Sequence, residues 1–279
     1  MSSMSHLATL PHRGVIAIAG PDRLSFLQGL VSNDVSRTAP HQAVWAALLT
    51  AQGRYVAEFF ILTDGDRLLL DAPRNAIPDL IKRLSRFRLR SQVEMSDCSA
   101  EFIVHAAWGD EFAPLAGTVS APDPRLPHAG SRILAPSTLP DAEDAQAYLA
   151  HRLALGLPDH DDLEPEKTLL MEAGFGELNG IDWEKGCYMG QELTARTRYR
   201  GLVKRRLIPV NGDEALPDTG PIMVAGREIG EIRTALGARA LAILRIDALD
   251  QPLLAGTIAI KPDIPGWMHL PSTFEFSQP

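Results

Sequence analysis

Apolar runs joined by very short turns decide the fold class of this chain. Ala43 to Thr50 and Arg54 to Leu62 are strand-like and separated only by Ala51-Gln52-Gly53; Asp64-Gly65 then precedes a third run, Arg67 to Asp71. A parallel pair of strands needs a crossover of roughly a dozen residues or more, so turns this short force an antiparallel meander. Upstream, Gly14 to Ala19 is a glycine-bounded apolar run that reads as a buried strand. Gly20-Pro21-Asp22 is a helix start, followed by Leu24, Leu27, Leu30 and Val31 at helical spacing, with Ser32-Asn33-Asp34 as the close. Asn75 to Phe87 predicts a second helix with Ile77, Leu80, Ile81 and Leu84 on one face. It runs into a basic cluster, Lys82, Arg83, Arg86, Arg88 and Arg90. Ser91 to Met95 and Glu101 to Trp108 are further strands. The order β-α-β-β-β-α-β-β with hairpins between strands implies α+β, not a doubly wound parallel sheet.

The second half is patterned differently. Residues 109–140 hold many prolines and read as a linker or irregular crossover with one edge strand near Arg132 to Leu134. Asp141 to Leu155 is a helix stopped by Gly156-Leu157-Pro158. Asp159 to Lys167 is dense in charge and reads as a solvated loop. After Gly201, short strands recur at Arg205 to Val210, Ile222 to Val224, Glu228 to Arg233, Ala240 to Arg245 and Thr257 to Lys261, separated by Gly, Pro and Asp turns. Even spacing of this kind predicts a small all-β barrel or sandwich.

With 279 residues, the chain is long enough for two or three modules. Its formal net charge of −8 gives no general attraction to nucleic acid or to anionic membranes. Two cysteines, Cys98 and Cys187, exclude a disulfide framework and a four-cysteine metal or cluster site within one chain. Free thiols suit a reducing compartment. The first eleven residues lack the pattern of a signal or transit peptide, and no stretch approaches a membrane span. The expectation is a cytoplasmic protein with no membrane partner.

The stretch that carries chemistry is Lys185-Gly186-Cys187-Tyr188-Met189-Gly190-Gln191-Glu192. Two glycines permit a tightly turned backbone and close approach of another group. Lys185 stands two residues before the thiol and can favour the thiolate, the reactive form. The alternative is a glycine-punctuated turn with a small buried cysteine. Between Leu193 and Arg206 lie Arg196, Arg198, Arg200, Lys204, Arg205 and Arg206, and no acid. In an acidic chain that local excess attracts an anion such as a carboxylate, which arginine meets in bidentate fashion; a solvated strand face or a set of ion pairs is the alternative. Nucleic acid is disfavoured, because Tyr199 is the run's only aromatic residue.

Lys-Gly-Cys-aromatic-x-Gly-Gln-Glu resembles the signature of the YgfZ family of folate-binding proteins, related to the glycine-cleavage T-protein, an aminomethyltransferase. Leu193 to Gly201 is similar to the family's continuation. Arg23 to Asp34 looks like its N-terminal helix motif, with Gln28, Asn33 and Asp34 either facing a ligand or capping the helix. Gly226 to Thr234 is similar to the central hairpin of its C-terminal barrel. The resemblance implies a T-protein-like folate-binding fold of antiparallel sheets with flanking helices over residues 1–202, made of two intertwined subdomains around 1–95 and 96–202, and a barrel over 203–279. It implies that tetrahydrofolate, or a polyglutamylated derivative, binds near Asn33, Glu172, Gly190, Gln191 and Glu192, with the arginines 196, 198 and 200 on its carboxylates. A Glu in a similar Glu-Ala-Gly context holds the pterin in T-proteins. The resemblance also implies that Cys187 and Lys185 are the reactive pair.

One departure decides between branches. T-proteins place an Asp-Asp pair after a Gly-Gly turn; here the stretch reads Gly53-Arg54-Tyr55-Val56-Ala57-Glu58, and Ala57 cannot do proton chemistry. The expected function is therefore a folate-dependent accessory role in iron–sulfur cluster assembly or repair, acting through Cys187 with assembly or client proteins, with effects on cluster-dependent tRNA modification. The alternatives are a folate-dependent aminomethyltransferase or demethylase, and a non-catalytic regulator that binds folate or RNA.

Overall fold

The computed structural model describes residues 5–109, 114–199, 201 and 203–270. Contacts divide the chain into two compact units, neither of them contiguous in sequence. One comprises Met1–Ala51, Val56–Tyr148 and Leu178–Gln191; the other comprises Gln52–Tyr55, Leu149–Glu177 and Glu192–Pro279.

The first unit holds two antiparallel sheets. β1 (His6–Thr9), β7 (Ile103–Trp108), β9 (Ser131–Ala135) and β8 (Val119–Pro122) form a four-stranded sheet in the order β1-β7-β9-β8. β3 (Val44–Leu49), β4 (Tyr55–Asp64), β5 (Arg67–Pro73), β2 (Arg13–Ala19) and β6 (Glu94–Asp97) form a five-stranded sheet in the order β3-β4-β5-β2-β6. The meander is as the short turns require. Alternation along the strands gives this larger sheet two unlike faces. Ile16, Ile18, Ala57, Phe59, Ile61, Leu68 and Leu70 pack with α1 (Arg23–Gln28) and α2 (Ile77–Ser85) in one apolar core. Arg13, Glu58, Phe60 and Asp71 fall on the other parity, and Arg132 of β9 comes within 3.8 Å of Asp71 there.

Three expectations are corrected. α1 ends at Gln28 rather than Asp34: Gly29 caps it, and Val31 has already turned into a bridge with Leu48. The segment near Arg132 to Leu134 is not an edge strand, because β8, unassigned from sequence, covers its outer side. The charged run from Asp159 is not simply solvated. Asp162 is buried and pairs with Arg152 at 2.7 Å, and Asp159 and Asp162 close a reciprocal cap on a short 3-10 turn. Burial raises the Asp162 pKa against the pull of Arg152.

In the second unit, β10 (Arg205–Gly212), β13 (Arg239–Arg245), β12 (Arg227–Leu236), β11 (Gly220–Val224), β14 (Leu253–Ala255) and β15 (Ile258–Pro262) close into a barrel. Closure removes sheet edges. Ile208, Val210, Ile222, Ile232, Ala242 and Leu244 fill it. α3 (Ala145–Leu155) is tied to this unit by Trp267, whose indole N–H donates to the Leu155 carbonyl at 2.9 Å. α4 (Gln191–Tyr199) begins where the first unit ends.

Gly230 sits where β12 passes closest to β13: a Cβ there would lie 2.0 Å from the Ile243 carbonyl oxygen. Gly230→Ala is expected to cost about 1–3 kcal/mol by overpacking, whereas Gly29→Ala, at φ −81° with nothing within 4 Å of the added carbon, is expected to be neutral or slightly stabilising. Urea titrations of the two variants check the contrast; equal midpoints would remove the close-approach argument.

Candidate functional site

The Cys187 loop is held against the turn that follows α1. The Ser32 hydroxyl donates to the Gly180 carbonyl at 2.6 Å, and the Asn33 amide donates to the carbonyls of Asn179 at 2.6 Å and Trp45 at 2.8 Å. The Asp182 amide donates to the Ser32 carbonyl at 3.1 Å, and the Asp182 carboxylate receives Arg37 at 2.8 Å. That carboxylate also accepts the amides of Glu184 and Lys185, which folds the chain into a tight turn just before the thiol. Met189 then donates its amide to the Gly29 carbonyl at 3.2 Å. The two stretches that stand out in the sequence, 28–34 and 179–191, are thus each other's partners.

Lys185 is the keystone of this contact. Its Nζ donates to the carbonyls of Val31 at 2.6 Å and Asn33 at 2.7 Å, and it lies 5.2 Å from the centre of the Tyr188 ring. Burial lowers its pKa to about 8, opposed by the charges of Asp34 and Asp182. The Ser36 hydroxyl holds the Asp34 carboxyl below its ordinary range. Gln28 spans the same turn, accepting from the Val35 amide and donating to Asp34. Gln28, Asn33 and Asp34 therefore lock the backbone, the capping reading of the sequence.

Cys187 projects from this rigid base into solvent, whereas Cys98 is buried and burial pushes its thiol up to about 11. A Cβ on Gly186 would meet nothing within 4 Å, so the space beside the thiol is open. Gly190 adopts φ 81°, a region that favours glycine, and the Gln191 side chain closes the same turn by accepting from the Tyr188 amide at 3.1 Å.

The remaining predicted residues are dispersed. Glu192 and Arg196 pair with each other on the exposed face of α4. Arg198 lies beside the exposed Tyr199 ring, and Arg200 is outside the described residues. Arg206 is buried against Glu177 at 2.9 Å. Arg205 reaches Glu172 at 3.2 Å. Among the described residues the arginine run does not converge on one anion site; Arg196, Arg205 and Arg206 each make an ion pair within the second unit.

Glu172 is buried in that unit, accepting from the Leu169 amide at 3.1 Å and from Arg205. With Asp162, Glu164, Thr168 and Arg233 it lines a cavity of about 10 Å³, room for one water. The Glu172 carboxylate, which accepts one N–H from Arg205 at 3.2 Å, is of the type that can accept from an aminopyrimidine. The volume does not fit a pterin: the cavity is the size of one water, and Arg205 closes onto the carboxylate. Among the described residues, no group of three or more His, Cys, Asp or Glu is placed to hold a metal, and no helix is long and apolar enough to cross a membrane.

One polar cluster escapes motif reading. Between the two sheets of the first unit, Arg13 is paired with Glu58 and donates to Asp71 at 2.8 Å; the Trp45 indole donates to Glu58 at 2.7 Å. Arg125 pairs with Asp123 at 2.7 Å, and both Arg125 and Arg132 donate to the Tyr148 hydroxyl. The Phe60 ring lies 4.4–5.8 Å from the three guanidinium carbons. The available signal was a single charge inside each apolar run: Glu58 in Tyr55–Leu62, Asp71 after Leu68–Leu70, and Arg132 before Ile133–Leu134.

Residues 204–270 match the family described as the CAF17 C-terminal beta-barrel domain. The iron–sulfur cluster assembly factor IBA57 of Mus musculus, a mitochondrial protein, is 30% identical over 92% of this chain and 84% of its own length. The chain belongs to the IBA57 family. The mitochondrial IBA57 homologue of Mycosarcoma maydis is 36% identical over 75% of this chain, but the match spans only 58% of that longer protein. The glycine-cleavage aminomethyltransferase T of Bartonella henselae has the same fold, with a TM-score of 0.75 at 16% identity over 95% of this chain and 86% of that one. The kinship expected from residues 185–192 holds at the level of iron–sulfur assembly proteins with a T-protein-like fold, but the relatives carry the IBA57 name rather than YgfZ. The cytoplasmic expectation is corrected: the IBA57 relatives are mitochondrial proteins. It rested on free thiols, which report a reducing compartment without saying which one, and on the unpatterned first eleven residues, which do not choose a compartment either.

A thiol reagent at pH 7.5 should modify Cys187 in the native protein and reach Cys98 only on unfolding; equal labelling of both would contradict the burial difference. Lys185 sets a pH dependence. The unfolded chain keeps this proton up to about 10.5 and the folded chain sheds it near 8, so folding is opposed below pH 8 and relieved as pH rises toward 10.5. The stability of the native sequence relative to Lys185→Met should therefore rise across that window in urea titrations, and a difference that stays flat from pH 7 to 10 would refute the burial argument.

Proposed function

We propose that this protein acts in iron–sulfur cluster assembly or repair, using Cys187 as a solvent-facing thiol ligand on a fixed loop. The observation that carries the reading is the contrast within that loop: Lys185, Tyr188 and Gln191 are engaged in holding the backbone, while the Cys187 side chain is exposed. A single thiolate per chain supplies one ligand, so a cluster held there needs thiolates from a partner. Membership of the IBA57 family supports the reading, since its relatives are named for cluster assembly.

Binding of tetrahydrofolate belongs to the proposal as the resemblance implies it, with Glu172 as the pterin acceptor. Cluster-dependent enzymes, including those that modify tRNA, are the expected beneficiaries. Aminomethyl transfer is the weaker reading. At the position where T-proteins carry their assisting aspartate, Ala57 faces the apolar core, and the next residue, Glu58, is saturated by Arg13 and Trp45.

In cells lacking the protein, Cys187→Ala should fold normally yet fail to restore iron–sulfur enzyme activity; full restoration would overturn the proposed role. Saturating tetrahydrofolate, with and without a polyglutamate tail, should raise the melting temperature by mass action. No shift with either form would remove folate from the proposal and leave the thiol untouched.

A further inference from the structure

The basic cluster that follows α2 is not used by anything described above. Lys82, Arg86, Arg88 and Arg90 are exposed, and among the described residues none of them has an acidic partner; Arg83 alone is paired, with Asp79. No acid interrupts residues 82–92. Two apolar side chains stand among these cations in solvent: Leu89 is 90% exposed and Phe87 40%. Leu89 also adopts φ 42°, a left-handed conformation that is unfavourable for a non-glycine residue. An apolar side chain held outward at such a cost, among unpaired arginines, is not what a solvated turn requires.

The position of this turn gives it meaning. The Gln92 amide donates to the Asp22 carboxylate at 2.7 Å, which fixes the basic turn to the start of α1. The Met189 amide donates to Gly29, which fixes the Cys187 loop to the other end of the same helix. α1 has six residues, so it spans about 9 Å. Leu24, Ser25 and Gly29 are exposed along it. One surface therefore runs from Arg86–Arg90, over α1, to Cys187.

We propose that this strip is the docking surface for an acidic protein segment that brings its own thiol to Cys187. The proposal rests on the reading of Cys187 as the working group and names the chemistry of its partner. Four of the five cations are arginines, the residue that pairs with carboxylates in bidentate fashion and is enriched at protein interfaces where lysine is depleted. Phe87 and Leu89 supply the apolar contact that a protein partner can cover. An anionic lipid surface would attract lysine equally well and has no use for a thiol at the end of the strip. Because the whole chain carries a net charge of −8, an acidic partner is steered to this patch and away from the rest.

The test uses two synthetic peptides, each with one cysteine activated as its 2-pyridyl disulfide, a short Gly-Ser spacer, and either six Glu or six Gln. The Cys187 thiolate attacks the peptide sulfur, and pyridine-2-thione leaves with the bonding pair, which absorbance follows. At low ionic strength the Glu peptide should react about tenfold faster than the Gln peptide, and the advantage should vanish at high salt. The combined variant Arg86→Ser, Arg88→Ser, Arg90→Ser, all exposed turn positions, should lose the advantage while its rate with the Gln peptide is unchanged. Equal rates for the two peptides, or an advantage that survives in the variant, overturns the docking strip and leaves the Cys187 reading standing. No reaction with either peptide overturns both. Cosedimentation with anionic phospholipid vesicles that the variant abolishes would reassign the patch to lipid and overturn the proposal.

Discussion

The contact on which the site depends is the Lys185 ammonium bound to the carbonyls of Val31 and Asn33. Those carbonyls are free because α1 stops at Gln28, and the backbone beyond it has no helical partner. An amine arriving from residue 185 supplies donors to this stranded stretch, while Ser32, Asn33 and Asp182 add the reciprocal bonds. The short helix, the polar Ser-Asn-Asp turn and the Lys-Gly-Cys loop are one construction. The lysine two residues before the thiol works on the backbone, and Cys187 itself is exposed.

The sequence was most legible where local chemistry leaves few choices. Turns such as Ala51-Gln52-Gly53 compel hairpins, and the evenly spaced strands after Arg205 left a barrel or a sandwich, of which the fold takes the barrel. The reading failed where a residue's role is decided by a partner far along the chain. Val31 continues a helical pattern but is taken by Leu48; the strand at Arg132 reads as an edge until β8 pairs along its outer side. The arginine run after Leu193 looks like one anion site because its members are near in sequence. In the fold, Arg205 and Arg206 have gone to Glu172 and Glu177, and Arg196 to Glu192. For the candidate site, the turned, exposed loop around Cys187 was legible from its glycines, whereas the structural duty of Lys185 and Asn33 was not.

The charged layer between the two sheets of the first unit has a different logic from the Cys187 loop. Three arginines and three carboxylates are buried there without net charge, around the Phe60 ring. Replacing such pairs by apolar residues often leaves stability unchanged or improves it, so their worth lies in fixing one arrangement of the two sheets against slipped alternatives. Arg132 Nε and Nη1 and Asp71 Oδ2 lack hydrogen-bond partners, with Nη1 and Oδ2 3.8 Å apart, a gap that one water can bridge.

Glu58 shows how a shared fold can part from a shared chemistry. A carboxylate that moves protons must exchange partners during the reaction, and so needs an unsaturated or solvent-reached oxygen. Both Glu58 oxygens are occupied, one by Arg13 and one by the Trp45 indole, and the residue is 1% exposed. Moving it would leave Arg13 as an uncompensated buried charge, a cost of roughly 3–5 kcal/mol. Strand β4 thus retains the backbone of the T-protein-like fold while its carboxylate is spent on holding two sheets together. On the other face of the unit's large sheet, beyond α1, the contrast is reversed: the Cys187 loop is fixed by its backbone and its thiol is exposed.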